Sequence, residues 1–272
     1  MSVMTTTPDN EGVFTGVTMP PNEALKNALI LTQSTVNGLI EGDHASMTVP
    51  VIKTPPTAEL VAEGAEFNET LTPLDAVSVK NKKIGVLTVV SNEIRYRENI
   101  GDYVVNVLAQ AMVDKADAVF LQNNGEPTGL FNVKNVVTGE VTDNLNPIIA
   151  ALSVVSANGA IPTSLIMHYA TWAGLLNLTY KDGRPMIDPS IAHSETPQIF
   201  GLNVILNAQA PVHKILINDP NEVFSTLSEA SLSMSDDYAF NRDSTAMRGT
   251  YRIGFSVIHP NRLAVLNVNT AA

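Results

Sequence analysis

The chain has 272 residues, enough to bury a sizeable core without disulfides or metals, and its 27 acids against 16 bases give a net charge of −11. Charged residues make up only 16% of it, where about 25% is usual for a soluble domain, so part of the exterior is expected to be hidden against other protein. The acidic balance excludes a nucleic-acid reader built on a concentrated basic footprint, and the absence of cysteine excludes disulfide frameworks, thiolate nucleophiles and zinc knuckles.

The opening MSVMTTTPDNEG has neither the basic start nor the apolar run of a secretory signal. The apolar stretch 147–161 is broken by serines and asparagine and is shorter than the ~20 residues that span a bilayer. The expectation is a soluble chain made in a cytoplasm. Charge is unevenly spread: residues 1–75 hold ten acids and two bases, so −8 of the −11 lies there. Glu59, Glu63, Glu66 and Glu69 fall in eleven residues, and Lys80, Lys82 and Lys83 fall in four. Such runs are ordinarily solvated faces of a surface hairpin, and the sharper alternative is that the two patches meet opposite charge on a neighbouring subunit.

Residues 1–22 read as an arm without sustained periodicity. From 22 to 40 the apolar positions fit a short amphipathic helix with Asn22 as N-cap. Residues 46–91 read as a long β excursion: Val49 and Val51 alternate out to Pro55 and Pro56, and Val77, Val79, Val86, Val89 and Val90 form the return. A two-stranded ribbon of that kind is marginal alone in water, so it should lie on a partner. Ser91 or Asn92 then caps a spine helix predicted over 92–122, about 45 Å long, with Ile100, Tyr103, Val104, Val107, Leu108, Ala111, Met112, Val119 and Phe120 as its apolar stripe.

The helix stops at NNGEPTGLFN (123–132), where Gly125, Pro127 and Gly129 supply turn chemistry. Helices follow over 146–157 and 169–179 around a strand at 161–168, and KDGRP (181–185) reads as a turn. Strands follow at 203–206 and 213–217, and the tail from 230 to 268 is mainly β.

Short-motif chemistry is missing. The five histidines have no i, i+4 pair, and no GxSxG, GxxxxGK[ST] or GxGxxG occurs. His168 and His213 sit on apolar strands and read as structural, Trp172 and Phe120 as core, and Asp236 and Asp237 as a polar loop. No metal or cofactor site is expected.

The order of arm, helix, long hairpin, spine helix, Gly/Pro turn, mixed body and β return resembles the tailed-phage major capsid fold of the Hong Kong 97 type, an α+β fold. The resemblance spans about 50–268 and is carried by AELVAEGAEFNET (58–70) with the return to VVSNEI, by DKADAVFLQNNGEPTGLFN (114–132), by LTYKDGRPMI (178–187) with Lys181, Asp182, Gly183 and Arg184, and by IFGLNVILN (199–207) with Gly201. It implies an N-arm (1–45), an E-loop hairpin (46–84), a peripheral domain (85–132 and 226–272) and an axial domain (133–225). It also implies E-loops laid over neighbouring subunits and axial domains meeting at five- and six-fold axes. The implied activity is assembly without catalysis, in hexamers and pentamers that close an icosahedral head around double-stranded DNA, with no sequence-specific contact and no membrane.

Many relatives begin with a scaffolding region of about a hundred residues that a protease removes. Here either the scaffolding comes from a separate protein or the start has been trimmed, and Met1 standing close before the arm favours the former, alongside a portal and decoration or minor proteins. Assembly would take place in the host cytoplasm. Lys53, Lys80, Lys82 and Lys83 are placed where family members cross-link a hairpin lysine to an asparagine, but no catalytic acid or acceptor asparagine matches, and solvated lysines are the ordinary case. The rival readings are an encapsulin-type compartment shell and a soluble acidic enzyme whose carboxylates are dispersed through 133–225. On the leading reading, residues 1–83 are interface, and their charges have partners on other chains.

Overall fold

Alternating apolar residues in the strands and a three-to-four apolar spacing in the helices build two six-stranded sheets around one long helix. The structure is a computed structural model that describes residues 28–40, 46–52, 56, 58–61, 63, 74–95, 100–187 and 197–269. A single turn α1 (Leu29–Thr32) leads into β1 (Thr35–Leu39), β2 (Ser46–Ile52), β3 (Leu74–Ser91), α2 (Asn92–Arg95) and the spine helix α3 (Ile100–Gln122). Then come β4 (Val137–Val141), α4 (Asn146–Ala157), β5 (Ser164–Met167), α5 (Tyr169–Leu176), β6 (Gln198–Ile199) and β7 (Leu202–Leu206). The chain ends with β8 (Lys214–Asn218), β9 (Val223–Leu227), β10 (Ser231–Ala239), β11 (Ser244–Val257) and β12 (Ala264–Val268).

The first sheet runs β1-β9-β11-β3-β2, with β10 also on β11. Strand β3, 18 residues long, has two partners in succession: Leu74 to Lys80 pair with β2, and Asn81 to Ser91 pair with β11. Pro50 sits in β2 because that strand is the edge, where a missing N–H costs no ladder bond. The buried face of β3 changes along its length. Val77 and Val79 pack with Val49 and Val51 against Phe224 and Ile258, whereas Ile84 and Val86 pack toward the spine helix. Successive residues point to opposite faces, so the odd positions are inward in the ribbon and the even ones in the body.

The second sheet runs β4-β12-β8-β5-β7-β6 and is buried on both faces at its centre. Ile166, Leu216 and Val265 face the spine-helix core, while Leu165, Met167, Ile215, Ile217 and Leu266 face α4 and α5. That double burial is why β5 and β8 read as continuous apolar runs rather than alternating ones. Strand β12 lies between β4 and β8, so Ala264 to Val268, near the end of the chain, complete the second sheet.

Other expectations change in detail. Residues 35–39 form a strand, not the end of a helix, because β-branched Thr35 and Val36 pair in parallel with β9, and the break at Gln33 and Ser34 is held by buried hydrogen bonds. Gln33 Oε1 accepts from Ser164 Oγ at 2.5 Å, its carbonyl accepts from Asn218 Nδ2 at 3.0 Å, and Ser34 Oγ donates to Ser225 Oγ at 2.8 Å. The N-cap expected at Asn22 lies outside the described residues.

The described spine helix of 23 residues is about 35 Å long, and Asn92–Arg95 is helical as well. Its buried stripe is Val105, Leu108, Ala109, Met112, Val113, Ala116, Asp117, Phe120 and Leu121, while Tyr103 and Val107 are exposed. Phe120 meets Phe255 edge to face, with ring centroids 5.1 Å apart. Helix α5 ends at Leu176 rather than 179. His168 is its N-cap, with Nδ1 accepting from the Ala170 N–H at 3.0 Å, and His213 is exposed at φ 62 just before β8. Asp236 and Asp237 lie inside β10 rather than in a loop, on its exposed side. Strands β4 and β9 were not foreseen.

Candidate assembly surface

The turn after the spine helix is built from its amides. Asn123 Nδ2 donates to the Pro127 carbonyl at 2.5 Å, and Asn132 Nδ2 donates to the Gln122 carbonyl and to Asn124 Oδ1 at 2.8 and 2.9 Å. The Gly129 N–H closes onto the Asn123 carbonyl at 2.8 Å, and Leu130 and Phe131 plug into the core. A Cβ on Gly129 would stand 2.7 Å from the Leu121 carbonyl oxygen, a backbone atom that cannot swing away, so glycine is required there by close approach rather than by φ. Pro127 is buried, and Gly125 and Glu126 are presented at the surface.

Glu126 is the acid onto which the hairpin's basic run converges. Lys80 Nζ donates to Glu126 Oε2 across an exposed pair, and this hydrogen bond and charge, with Lys82 farther off, hold the Glu126 carboxyl below its ordinary range. Lys80 thus has an acidic partner within its own chain. Two open grooves of about 560 Å³ each meet at Glu126. One is lined by Lys82, Lys83 and Lys115 over Ile84 and Val119, and the other by Lys80 and Lys134 with Asn124 and Asn132. Lys82 and Lys83 are exposed, as are Glu59 and Glu63, while Glu66 and Glu69 lie outside the described residues.

The other predicted motif residues meet at the far end of the second sheet. Asp182 Oδ2 accepts from Arg184 Nε at 2.7 Å, and the Asp182 carboxyl is held below its usual range chiefly by that hydrogen bond. Gly183 at φ +81 and Gly201 at φ +77, the latter after Phe200 at φ 52, take left-handed turns that glycine accepts freely. Lys181, Asp182, Arg184, Tyr180, Ile149 and Phe200 line one open cleft of about 1020 Å³ with Asp143. Ile149, Tyr180 and Phe200 there are about half exposed. Further from these clefts, Phe240 is 84% exposed, Ile161 72% and Tyr103 68%. The apolar side chains gathered at the Tyr180 cleft, on a chain this poor in charge, make the kind of patch that other protein covers.

Sequence reasoning missed Glu126, Lys115 and Lys134. They are brought to Lys80 and Lys82 by the packing of α3 on β3, and nothing local in sequence announces that. Among the described residues, no group of His, Asp and Glu has metal-binding geometry, and no helix is long and apolar enough to cross a membrane.

The phage capsid family model matches residues 22–268. The chain belongs to the phage capsid family. The solved structures agree on the α+β fold of the Hong Kong 97 type. A structure from Gordonia phage Cozz superposes with TM-score 0.70 at 17% identity, covering 90% of this chain and 87% of that one. One from Microbacterium phage Oxtober96 gives TM-score 0.70 at 15% identity over 99% and 96%. The capsid of a native GTA particle gives 0.68 at 18% over 97% and 95%. No curated protein matches the sequence. The protein is a phage capsid subunit that associates with itself to form the shell of the virion, and neither the compartment-shell nor the enzyme reading is favoured.

Proposed function

We propose that this capsid subunit assembles as hexamers and pentamers closing an icosahedral head around double-stranded DNA, and that it does so without catalysis. The observation that supports this best is the gathering of half-exposed Ile149, Tyr180 and Phe200 in one open cleft on a chain with only 16% charged residues. Such a subunit touches several neighbours at once, and many weak contacts add to a strong shell. Its working division is an N-arm, a hairpin over 46–84, a body on the spine helix, and an axial body over 133–225 to which β12 is added. Besides copies of itself, its proposed partners are a scaffolding protein, a portal, decoration or minor proteins, and DNA held without sequence readout. Assembly in the host cytoplasm belongs to the same proposal. A net charge of −11 is consistent with it, because a cationic inner wall would grip packaged phosphates and impede release.

The test is electron microscopy of the purified subunit, alone and with its scaffold. Closed shells with five- and six-fold clusters are expected. A chain that stays monomeric under every such condition would overturn the proposal, and shells packed with an enzyme instead of DNA would move it to a compartment.

A further inference from the structure

The chain has three Asn–Gly pairs, Asn37–Gly38, Asn124–Gly125 and Asn158–Gly159. In such a pair no Cβ on the second residue shields the side-chain amide of the first from the backbone nitrogen that follows it, so sequence alone ranks the three equally. The fold separates them. Gly38 lies inside β1, paired with Thr226. Gly159, at φ +90, donates its N–H to the Ser156 carbonyl at 2.9 Å, and Asn158 Nδ2 donates to the Asn261 carbonyl at 2.7 Å, so both groups are held at the end of α4. The one Asp–Gly pair, Asp182–Gly183, is held as well, because the Gly183 N–H donates to the Tyr180 carbonyl at 2.9 Å.

Asn124 and Gly125 differ from all of these. Both are exposed beyond the end of α3, and the Gly125 N–H has no hydrogen-bond acceptor among the described residues. Asn124 Oδ1 accepts from Asn132 Nδ2 at 2.9 Å, which puts a donor on the oxygen where negative charge builds if Cγ is attacked. Lys80 and Lys134 line the same groove and favour that charge. We infer that Asn124 is a site of spontaneous modification in which the chain itself is the nucleophile. The Gly125 nitrogen gives its proton to solvent and bonds to Asn124 Cγ. The Cγ–Nδ2 bond breaks, and Nδ2 takes up a proton and leaves as ammonia. Water then opens the five-membered imide: opening at Cγ leaves an aspartate, and opening at the Asn124 carbonyl carbon leaves an isoaspartate whose main chain is one carbon longer. One water is consumed, one ammonia is released, and nothing is oxidised or reduced. Either product sets a second carboxylate near Glu126 in the groove. The isoaspartate also lengthens a turn that has no slack, since a Cβ on Gly129 would already stand 2.7 Å from the Leu121 carbonyl oxygen, and it loosens the tether of Leu130 and Phe131.

The test is peptide mapping by mass spectrometry of the purified full chain, held at mildly alkaline pH either native or unfolded in urea. Each conversion is read as a gain of about one mass unit with release of ammonia. In urea the three pairs should react at similar rates. In the native chain Asn124 should keep its unfolded rate to within about threefold, while Asn37 and Asn158 slow by about tenfold or more, because the glycine of each must first leave its strand or cap. A Cβ on Gly125 meets nothing closer than 3.8 Å, so Gly125→Ala should melt like the parent. Conversion at Asn124 should slow in that variant by about tenfold. The converted chain should melt about 2 °C below Asn124→Asp, which carries the same charge without the longer backbone. A native Asn124 as slow as Asn158 would overturn the inference, and this comparison stands whether or not the alanine variant folds. Undiminished conversion in a folded Gly125→Ala would overturn it too, since water would then be the nucleophile. Equal melts of the converted chain and Asn124→Asp would overturn the loosening of the turn.

Discussion

Asp117 on the spine helix and Asn207 at the end of β7, 90 residues apart in sequence, are joined by a hydrogen bond from Asn207 Nδ2 to Asp117 Oδ2 at 2.8 Å. Each atom at this junction has one role. Asp117 Oδ1 accepts the Leu29 N–H at 2.8 Å, and Asn207 Oδ1 accepts the Gln209 N–H at 2.7 Å. The pair therefore pins the N-terminal turn, the spine helix and the second sheet to one another. Asp117→Asn would set a donor against a donor, and Asn207 could turn to meet it only by abandoning Gln209. The expected cost is about 1–3 kcal/mol. Adding Asn207→Asp exchanges the roles and restores the bond, so urea melts of the four species should show recovery in the double variant. Additive losses would show that the pair has no directional role.

The same carboxyl gives the subunit a pH dependence of definite sign. Burial, partly offset by the hydrogen bonds from Leu29 and Asn207, raises the pKa of Asp117 above its ordinary value, and Asp114 adds to the rise. A carboxyl raised on folding costs stability when ionised and regains it as pH falls through the folded pKa. The stability margin of the parent over Asp117→Asn should widen as pH is lowered from neutral. A margin that stays constant or narrows would contradict the raised pKa.

Glu222 is a buried charge in the joint between the first sheet and α4. Its Oε1 accepts from Arg262 Nη1 at 2.6 Å and its Oε2 meets His259 Nδ1 at 2.7 Å, while Arg262 Nε donates to the Asn158 carbonyl at 2.8 Å. Glu222→Ala leaves two basic groups without their acceptor and should cost about 3 kcal/mol in chemical denaturation. Glu222→Gln keeps one acceptor and should lose less.

The exposed Lys80 and Glu126 pair should behave in the opposite way. Solvent screens both groups, so Glu126→Gln should leave the thermal melt of the isolated subunit unchanged. A clear drop in melting temperature would mean that the pair holds the hairpin to the turn.

The parts of this fold that could be read from sequence are those that speak locally. The hairpin strands announced themselves by β-branched alternation, and the KDGRP and NNGEP turns by Gly, Pro and Asn. The existence of the spine helix was legible, but its inward face was not. Val104, Val107 and Ala111 extend the apolar stripe beyond the buried Val105, Leu108, Ala109 and Met112 and so misplace its centre, and the polar residue that does point inward, Asp117, looks like surface until Leu29 and Asn207 arrive to satisfy it. Strand β1 was hidden because its parallel partner β9 lies some 190 residues away, and parallel pairing leaves no hairpin turn between partners. Likewise the lysine groove joins charges from a strand, a helix and a loop. Only the hairpin half of it, Lys80 to Lys83, formed a run that sequence could show.

Strand β3 crosses from the two-stranded ribbon to the body without a break, trading one buried face for the other near Asn81 to Lys83. The hairpin therefore has no free joint at its root. It is a lever whose fulcrum is a hydrogen-bonded sheet, so a neighbour that pulls on the ribbon applies torque to the sheet beneath the spine helix. Strain taken up at one contact in the shell is thus delivered to the sheet on which the spine helix packs.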